Sequence, residues 1–170
     1  IARVDRRSHL PRSGLAHDAF FAQNSISTGR SSDGCRFSKR CPTMKEKTLP
    51  DVPDVKSPAG AEVRLLMESD TGGMIHSTVP PGQINRAVVH ATVNEFWYIL
   101  EGHGEIWRRD HEQERVTALV PGVSIDIPVG TAFQYRNAGT DLFKFICVTM
   151  PKWPGAQEST YIEGIWKPSI

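Results

Sequence analysis

The sequence predicts an all-β domain, a sandwich or barrel of short antiparallel strands with very little helix. Nine runs of β-type residues follow one another, and Gly- or Pro-containing turns separate them at a spacing of roughly 8–12 residues, which is typical of such folds. Hydrophobic residues make up 39% of the chain and the net charge is +1, as in ordinary globular proteins. The near balance of charge argues against a nucleic-acid-binding protein.

The predicted strands are defined by these runs and turns. They cover residues 63–67, 74–79, 86–91, 95–100, 104–108, 115–119, 124–127, 132–136 and 142–150. The turns between them include Pro80-Pro81-Gly82, Glu101-Gly102, Pro121-Gly122 and Pro128-Val129-Gly130.

The chain also divides by charge. Residues 1–43 contain eight Arg or Lys and three Asp, a net charge of +5, which leaves −4 for residues 44–170. Residues 1–43 have few aliphatic side chains and no apolar period, so we expect a disordered basic leader. We expect it to lie upstream of a natural start at Met44, or to have been added for expression; an organelle transit peptide is the alternative.

The segments on either side of the strands differ from the barrel in composition. Residues 44–61 contain three prolines and one glycine, and they predict a linker with a lead-in strand. The barrel is expected over residues 62–150. The tail, residues 151–170, is predicted to pack over the barrel as an irregular arm anchored by Trp153 and Trp166.

Three cysteines give no disulfide framework, and no apolar run reaches the roughly 18 residues of a membrane span. Neither is there the pattern of a secretory signal. We therefore predict a reducing, cytoplasmic setting and no membrane partner.

Two blocks of residues have a distinctive spacing. In the first, Gly82 is followed by five residues, then by Val88-x-His90, four residues, Glu95, six residues and Gly102. In the second, Gly122 is followed by five residues, Pro128-x-Gly130, two residues, Phe133, three residues and Asn137.

These blocks resemble the two signature motifs of the cupin superfamily, and every spacing fits. The resemblance covers residues 62–150, about half of the chain, and implies a double-stranded β-helix, or jelly-roll barrel, of the small single-domain kind. In the family, two His and one Glu from the first motif and one His from the second usually hold a divalent metal.

The set of metal ligands that the resemblance implies is degenerate in this chain. His90 and Glu95 match ligand positions, but Val88 and Phe133 stand where the other two histidines belong. One imidazole and one carboxylate would hold a metal weakly. His76, on the neighbouring predicted strand, is the best substitute ligand if alternation turns it inward.

Alternation along the strands predicts which side chains line the barrel interior. The expected pocket is mostly apolar with a few convergent polar groups, as in small-molecule sites. Its lining is predicted to be Arg86, Val88, His90, Glu95, Trp97, Phe133 and Tyr135. Of these, Arg86 could bind a carboxylate or phosphate through its planar fork.

Three functions remain open. The first is an enzyme or binding protein for a small organic molecule with no tightly bound cofactor, doing isomerase, dehydratase or cyclase chemistry. His90 would be the general base, Glu95 would orient it or act as the acid, and Tyr135 could donate a proton. The second is a dioxygenase or isomerase with one Fe, Mn, Ni or Zn ion held by His76, His90 and Glu95. The third is a non-catalytic ligand-binding or sensor barrel.

The resemblance also implies self-association. Small cupins usually pair into dimers through edge strands, and the C-terminal arm could cover a partner. We therefore expect a homodimer.

Overall fold

The computed structural model describes residues 44–170, and eleven strands account for most of its regular structure. The strands are β1 Val55–Lys56, β2 Glu62–Glu68, β3 Gly73–Val79, β4 Val88–His90, β5 Asn94–Glu101, β6 Gly104–Arg109, β7 Glu114–Leu119, β8 Ser124–Ile127, β9 Ala132–Asn137, β10 Phe143–Met150 and β11 Ser159–Tyr161. One 3-10 helix, η1 Ala156–Glu158, precedes β11. The predicted all-β fold with very little helix is confirmed.

The strands form two antiparallel sheets. The first has six strands in the order β1-β2-β3-β10-β5-β8, and the second has five in the order β11-β4-β9-β6-β7. Successive strands such as β4 and β5, or β8 and β9, belong to different sheets. The turns between them therefore tie the two sheets together at the ends of the barrel.

The core lies between the sheets because side chains alternate along each strand. On β10, Phe143, Phe145 and Cys147 are buried in the core, and Trp97 and Ile99 on β5 join them. Residues of opposite phase point away from the core, and several of them are exposed apolar side chains. This outer face of the six-stranded sheet includes Met74, Phe96, Tyr98 and Leu100.

All nine predicted strands are present, with ends that differ from the prediction by at most two residues. The two strands that were not predicted individually are short. β1 is the lead-in to β2, and β11 pairs with β4 through Ser159 opposite His90. Both lie at a sheet edge, where two or three residues add to an existing strand.

The segment from residue 151 onward lies on this chain's own barrel. Trp166 exchanges two hydrogen bonds with the side chain of Gln134, and its ring lies under the guanidinium of Arg136 at 4.4 Å. Near the end of the chain, Ser169 bonds to the backbone of Ile84. The arm therefore covers β4 and β9 of its own five-stranded sheet.

Two further expectations concern the basic leader and the membrane. The predicted disordered leader, residues 1–43, lies outside the described residues. Within residues 44–170, no helix has the length and apolar character needed to cross a membrane.

Candidate functional site

A buried imidazole and a buried carboxylate meet at one end of the barrel. His90 ends β4 and Glu95 lies near the start of β5, so the pair joins the two sheets. Their contact is 3.2 Å between His90 Nε2 and Glu95 Oε1, and both side chains are less than a tenth exposed. The three-residue turn between the strands brings the two side chains together.

Each member of the pair has a second polar partner. Trp97 Nε1 donates to Glu95 Oε2 at 2.8 Å, and Ser159 Oγ lies 3.1 Å from His90 Nδ1. If His90 Nε2 carries a proton for Glu95, then Nδ1 of the neutral ring can accept from the Ser159 hydroxyl. The network therefore suits either a neutral or a protonated imidazole, because a hydroxyl can both donate and accept.

Aromatic rings enclose this polar network. The ring of His90 packs edge-on against Phe133 and Trp153, with centroids 5.1 and 5.0 Å away. Trp97 stacks on Phe145 at 4.0 Å and meets Tyr135 edge-on at 4.9 Å. These contacts fix the ring positions and leave few polar neighbours for the carboxylate.

A cavity of about 350 Å³ opens beside the pair, between β1, β2, β3 and the start of the arm. Most of its wall is apolar. Glu95 forms part of the wall, together with Thr149, which lies opposite it on β10. His90 is not part of the wall but lies behind the Glu95 carboxylate. The remaining wall includes Val55, Pro58, Val63, Leu65, Met67, Ile75 and Trp153, and three lysines and Glu68 stand at its rim.

Four further residues of the predicted lining lie inside the barrel, but they do not line this cavity, and Trp97 is one of them. Val88 and Phe133 are register partners on β4 and β9, and both are buried in the core. Tyr135 is also buried, and burial raises the pKa of its hydroxyl far above the ordinary value. These side chains pack with Trp97 in the core.

Two predicted site residues lie elsewhere. Ile75 faces the core opposite Cys147, so the alternation of β3 turns His76 to the outer face of the sheet, away from Glu95. There, burial and then the charges of Arg64 and Lys144 lower the pKa of His76. The placement of His76 in a metal site with His90 and Glu95 is therefore wrong.

Arg86 was also expected in the pocket, and this is wrong as well. β4 begins only at Val88, so the alternation assumed from His90 does not extend back to Arg86. The Arg86 side chain is exposed, and its guanidinium lies 5.3 Å from the centroid of the Tyr161 ring.

The donor set does not fit the four-ligand metal site that the resemblance implies. Two of its positions are filled by the apolar side chains of Val88 and Phe133, which lie opposite each other on β4 and β9. Two donors remain, fewer than the three or four that zinc and open iron sites use. Within residues 44–170 there is no group of three His, Cys, Asp or Glu side chains that could hold a metal ion.

The arm supplies functional neighbours that the sequence analysis did not identify. Glu158 is buried, and its carboxylate accepts hydrogen bonds from the backbone N–H of Thr92 and Val93 and from the Thr92 hydroxyl. Burial alone would raise the pKa of Glu158, but these hydrogen bonds together lower it. Glu158 thus holds the turn that connects His90 to Glu95. A lone acid in an irregular, Pro-containing arm carries no sequence signal for this role.

Comparison with known proteins agrees with this architecture. A family model described as the cupin domain matches residues 75–149. A Klebsiella pneumoniae protein with a double-stranded beta-helix domain is 21% identical, with a TM-score of 0.52 over 61% of this chain and 85% of its own. Oxalate decarboxylase of Bacillus subtilis, whose described structure concerns its Mn(II) centres, is 17% identical with a TM-score of 0.54. That match covers 66% of this chain and 30% of the decarboxylase chain.

A third similar structure is the cupin domain of Schizosaccharomyces pombe Cnp3. It is 12% identical, with a TM-score of 0.50 over 54% of this chain and 61% of its own. No curated protein matches the chain. The fold is a cupin-type double-stranded β-helix. The cupin-domain match over residues 75–149 and the double-stranded β-helix neighbours support a cupin-superfamily protein.

Proposed function

We propose that this protein binds a small organic molecule in the barrel cavity and moves a proton on it with Glu95 and His90. One observation carries the proposal: a buried carboxylate, which accepts a hydrogen bond from Trp97 and lies 3.2 Å from His90 Nε2, forms part of the wall of an otherwise apolar cavity. Burying a carboxylate costs several kcal/mol unless it is paired, and a polar group in the wall of an apolar cavity is typical of small-molecule sites. The reaction class is isomerase, dehydratase or cyclase.

The geometry favours a division of roles that differs from the sequence expectation. Because Glu95 lines the cavity and His90 lies behind it, Glu95 is the group that contacts the ligand. Trp97 occupies one lone pair of the carboxylate and His90 lies beside the other oxygen, so lone pairs remain that can accept a ligand proton. His90, backed by Ser159, balances the charge that changes when Glu95 is protonated.

The proton balance of the reaction class is simple. In an isomerisation, Glu95 takes a proton from one ligand atom and returns it to another, so the protein is unchanged at the end. In a dehydration, the same proton leaves with the hydroxyl group as water. Tyr135 is a poor proton donor in this scheme, since burial raises its pKa and its side chain packs against Trp97 in the core and does not line the cavity.

We also propose that the site works without a tightly held metal. The side chains present support this proposal. Val88 and Phe133 replace two of the usual ligands, and His76 faces the other side of the sheet. Elemental analysis of purified protein tests this directly. We expect much less than one Fe, Mn, Ni or Zn per chain, whereas stoichiometric metal that disappears in Glu95→Ala would contradict it.

The test of the proposed site compares two glutamates that share one feature, a hydrogen bond from a tryptophan, although Glu95 is buried and Glu114 is exposed. Glu95 and Glu114 each accept a hydrogen bond from a tryptophan Nε1, at 2.8 and 2.7 Å, but Glu114 lies on β7 away from the cavity. A library of small organic molecules is screened for binding by thermal shift. Glu95→Gln is expected to abolish binding or turnover of a hit, with about 1 kcal/mol or less of lost stability.

The control variant, Glu114→Gln, is expected to bind and turn over the same hit as the unmodified protein does. If Glu95→Gln leaves both binding and turnover intact, the proposed site is wrong. If a hit binds through Glu95 but no isomerisation, dehydration or cyclisation of it is detected, the barrel is a non-catalytic binding protein.

A homodimer and a cytoplasmic setting remain part of the proposal. The outer face of the six-stranded sheet exposes Phe96, Tyr98 and Met74, and an apolar surface of this kind suits pairing with a second copy. The arm does not contribute to such a pairing through its Trp166 side, which packs on its own barrel. Light scattering that gives the mass of one chain would exclude the dimer. The buried free thiol of Cys147 suits a reducing compartment.

A further inference from the structure

We propose that the ligand of the cavity is an amphipathic organic anion, with an apolar body inside the barrel and an acidic group at the rim. The proposal rests on the proposed function, because it concerns the same cavity. It adds a chemical class and an orientation, which follow from the wall, the rim and the floor of the cavity in turn.

The wall is apolar and open to solvent. Leu65 lies on the inner face of β2, opposite Ile75, and Val55 lies on the same face of β1, opposite Val63. Leu65 and Val55 are nevertheless 47% and 51% exposed. Inward-facing aliphatic side chains with this exposure form an open apolar surface that an occupant of the cavity would cover. The occupant therefore has an apolar body, which the hydrophobic effect favours here.

The rim carries more positive than negative charge. Lys152 and Glu68 neutralise each other through a contact of 2.8 Å. Lys47 donates to the backbone carbonyl of Leu65, and within residues 44–170 neither Lys47 nor Lys56 forms an ion pair. Glu62 is the cross-strand neighbour of Lys56, but the two side chains are not in contact as an ion pair. Two lysine ammonium groups thus remain available to an anion.

The floor sets the orientation of the ligand. Glu95 lies there, and a second carboxylate beside it would be opposed by like-charge repulsion in an apolar surrounding. The acidic group of the ligand therefore lies at the rim with Lys47 and Lys56. The opposite end reaches Glu95 and Thr149, where the reacting bond of the ligand would lie.

The test uses a set of aliphatic probes and the tryptophans of the site. Trp153 borders the cavity and Trp97 bonds to Glu95, so their fluorescence should change on binding. We expect octanoate to bind at least tenfold more tightly than octan-1-ol, because only octanoate carries the charge. We expect hexanoate to bind about fifteenfold more weakly than octanoate, since it lacks two methylenes and each buried methylene contributes about fourfold in affinity.

Variants at the rim locate the charge. The double variant Lys47→Gln/Lys56→Gln is expected to weaken octanoate binding about tenfold and to leave octan-1-ol binding unchanged. The matched control is Lys167→Gln, an exposed lysine of the arm, which should change neither. An unchanged octanoate affinity in the double variant would overturn the assignment of the acidic group to this rim.

The other outcomes separate this inference from the proposed function. Equal binding of octanoate and octan-1-ol would overturn the anionic class but leave an apolar small-molecule cavity beside Glu95. Equal binding of hexanoate and octanoate would overturn the apolar body. Failure of all three probes to bind, together with no library hit that depends on Glu95, would overturn the proposed function as well.

Discussion

Truncation of Glu158 should destabilise the whole barrel, although this residue belongs to the C-terminal arm. Glu158 is 5% exposed, and its carboxylate accepts three hydrogen bonds from the turn that links β4 and β5, including those from the Thr92 hydroxyl at 2.7 Å and Val93 N–H at 2.9 Å. A hydrogen bond to a charged group is worth about 1.5–3 kcal/mol, and such contributions are not additive. We expect Glu158→Ala to lower the free energy of unfolding by about 3 kcal/mol.

Urea denaturation followed by tryptophan fluorescence measures this change. Glu158→Gln keeps one acceptor oxygen for the two backbone N–H groups, so its loss should be only about 1 kcal/mol. Glu163→Ala is the matched control, because Glu163 is an exposed acid in the same arm, and it should stay within about 0.5 kcal/mol of the unmodified protein. A loss below about 0.5 kcal/mol for Glu158→Ala would refute the assigned role of this carboxylate.

The pH dependence of the same variants provides an independent check. Glu158 has a pKa below its ordinary value of 4.5 in the folded chain. Its stabilising contribution is therefore fully present above that value and is lost as the pH falls through the lowered pKa of the folded state. The difference in unfolding free energy between the unmodified protein and Glu158→Gln should shrink as the pH is lowered from 6 to 3. A difference that grows toward low pH would contradict the assignment.

Three further changes test the fold and the site by urea denaturation. Gly102 has φ +79°, and an added Cβ would collide with the backbone carbonyl of Leu142. Gly102→Ala should therefore lower the free energy of unfolding by about 2 kcal/mol or more. An unchanged free energy of unfolding would contradict the tight turn. Trp97→Phe removes the N–H that Glu95 accepts and should cost about 1–2 kcal/mol, so a loss close to zero would count against that hydrogen bond. The pKa of His76 is lowered in the folded chain, so the folded state loses stability relative to the unfolded state as the pH falls below 6.5. His76→Gln should therefore reduce the change in unfolding free energy between pH 7 and 5. An unchanged pH dependence of the unfolding free energy would refute this.

The strands were predictable because each one is short and bounded by residues with a local physical role. Gly82, Gly102, Gly122 and Gly130 all adopt positive φ, a conformation that glycine reaches without steric cost, so these turns can be recognised from sequence. Alternation between the turns then assigns most inward side chains, as it does for Trp97 and Ile99 on β5. Both signals are local, and they are enough to define the barrel.

The phase of a strand is harder to predict when both of its faces are covered. From His76 to Val79, four consecutive residues of β3 are buried, so hydrophobicity alone does not show whether Ile75 or His76 faces the core. Packing against Cys147 on the neighbouring strand β10 determines it. For Arg86, the error came from the length of β4, which has only three residues and begins at Val88, two positions after Arg86.

Long-range contacts of the arm could not be predicted from the sequence at all. Ser159 meets His90 across 69 residues of chain, and Glu158 meets Thr92 across 66. Both contacts depend on β11 adding to the edge of β4, which requires the folded sheet to exist first. The residues that the motifs identified, His90 and Glu95, were accessible because they are close in sequence and lie on either side of one turn.

Crystallographic screening of small organic fragments tests the central claim most directly, namely that Glu95, held by His90, faces a ligand in the cavity. We expect bound fragments to occupy the space beside Val63, Ile75 and Trp153, with a polar atom within hydrogen-bonding distance of the Glu95 carboxylate. A crystal structure in which side chains fill that space, or in which the Glu95 carboxylate points away from it, would contradict the account.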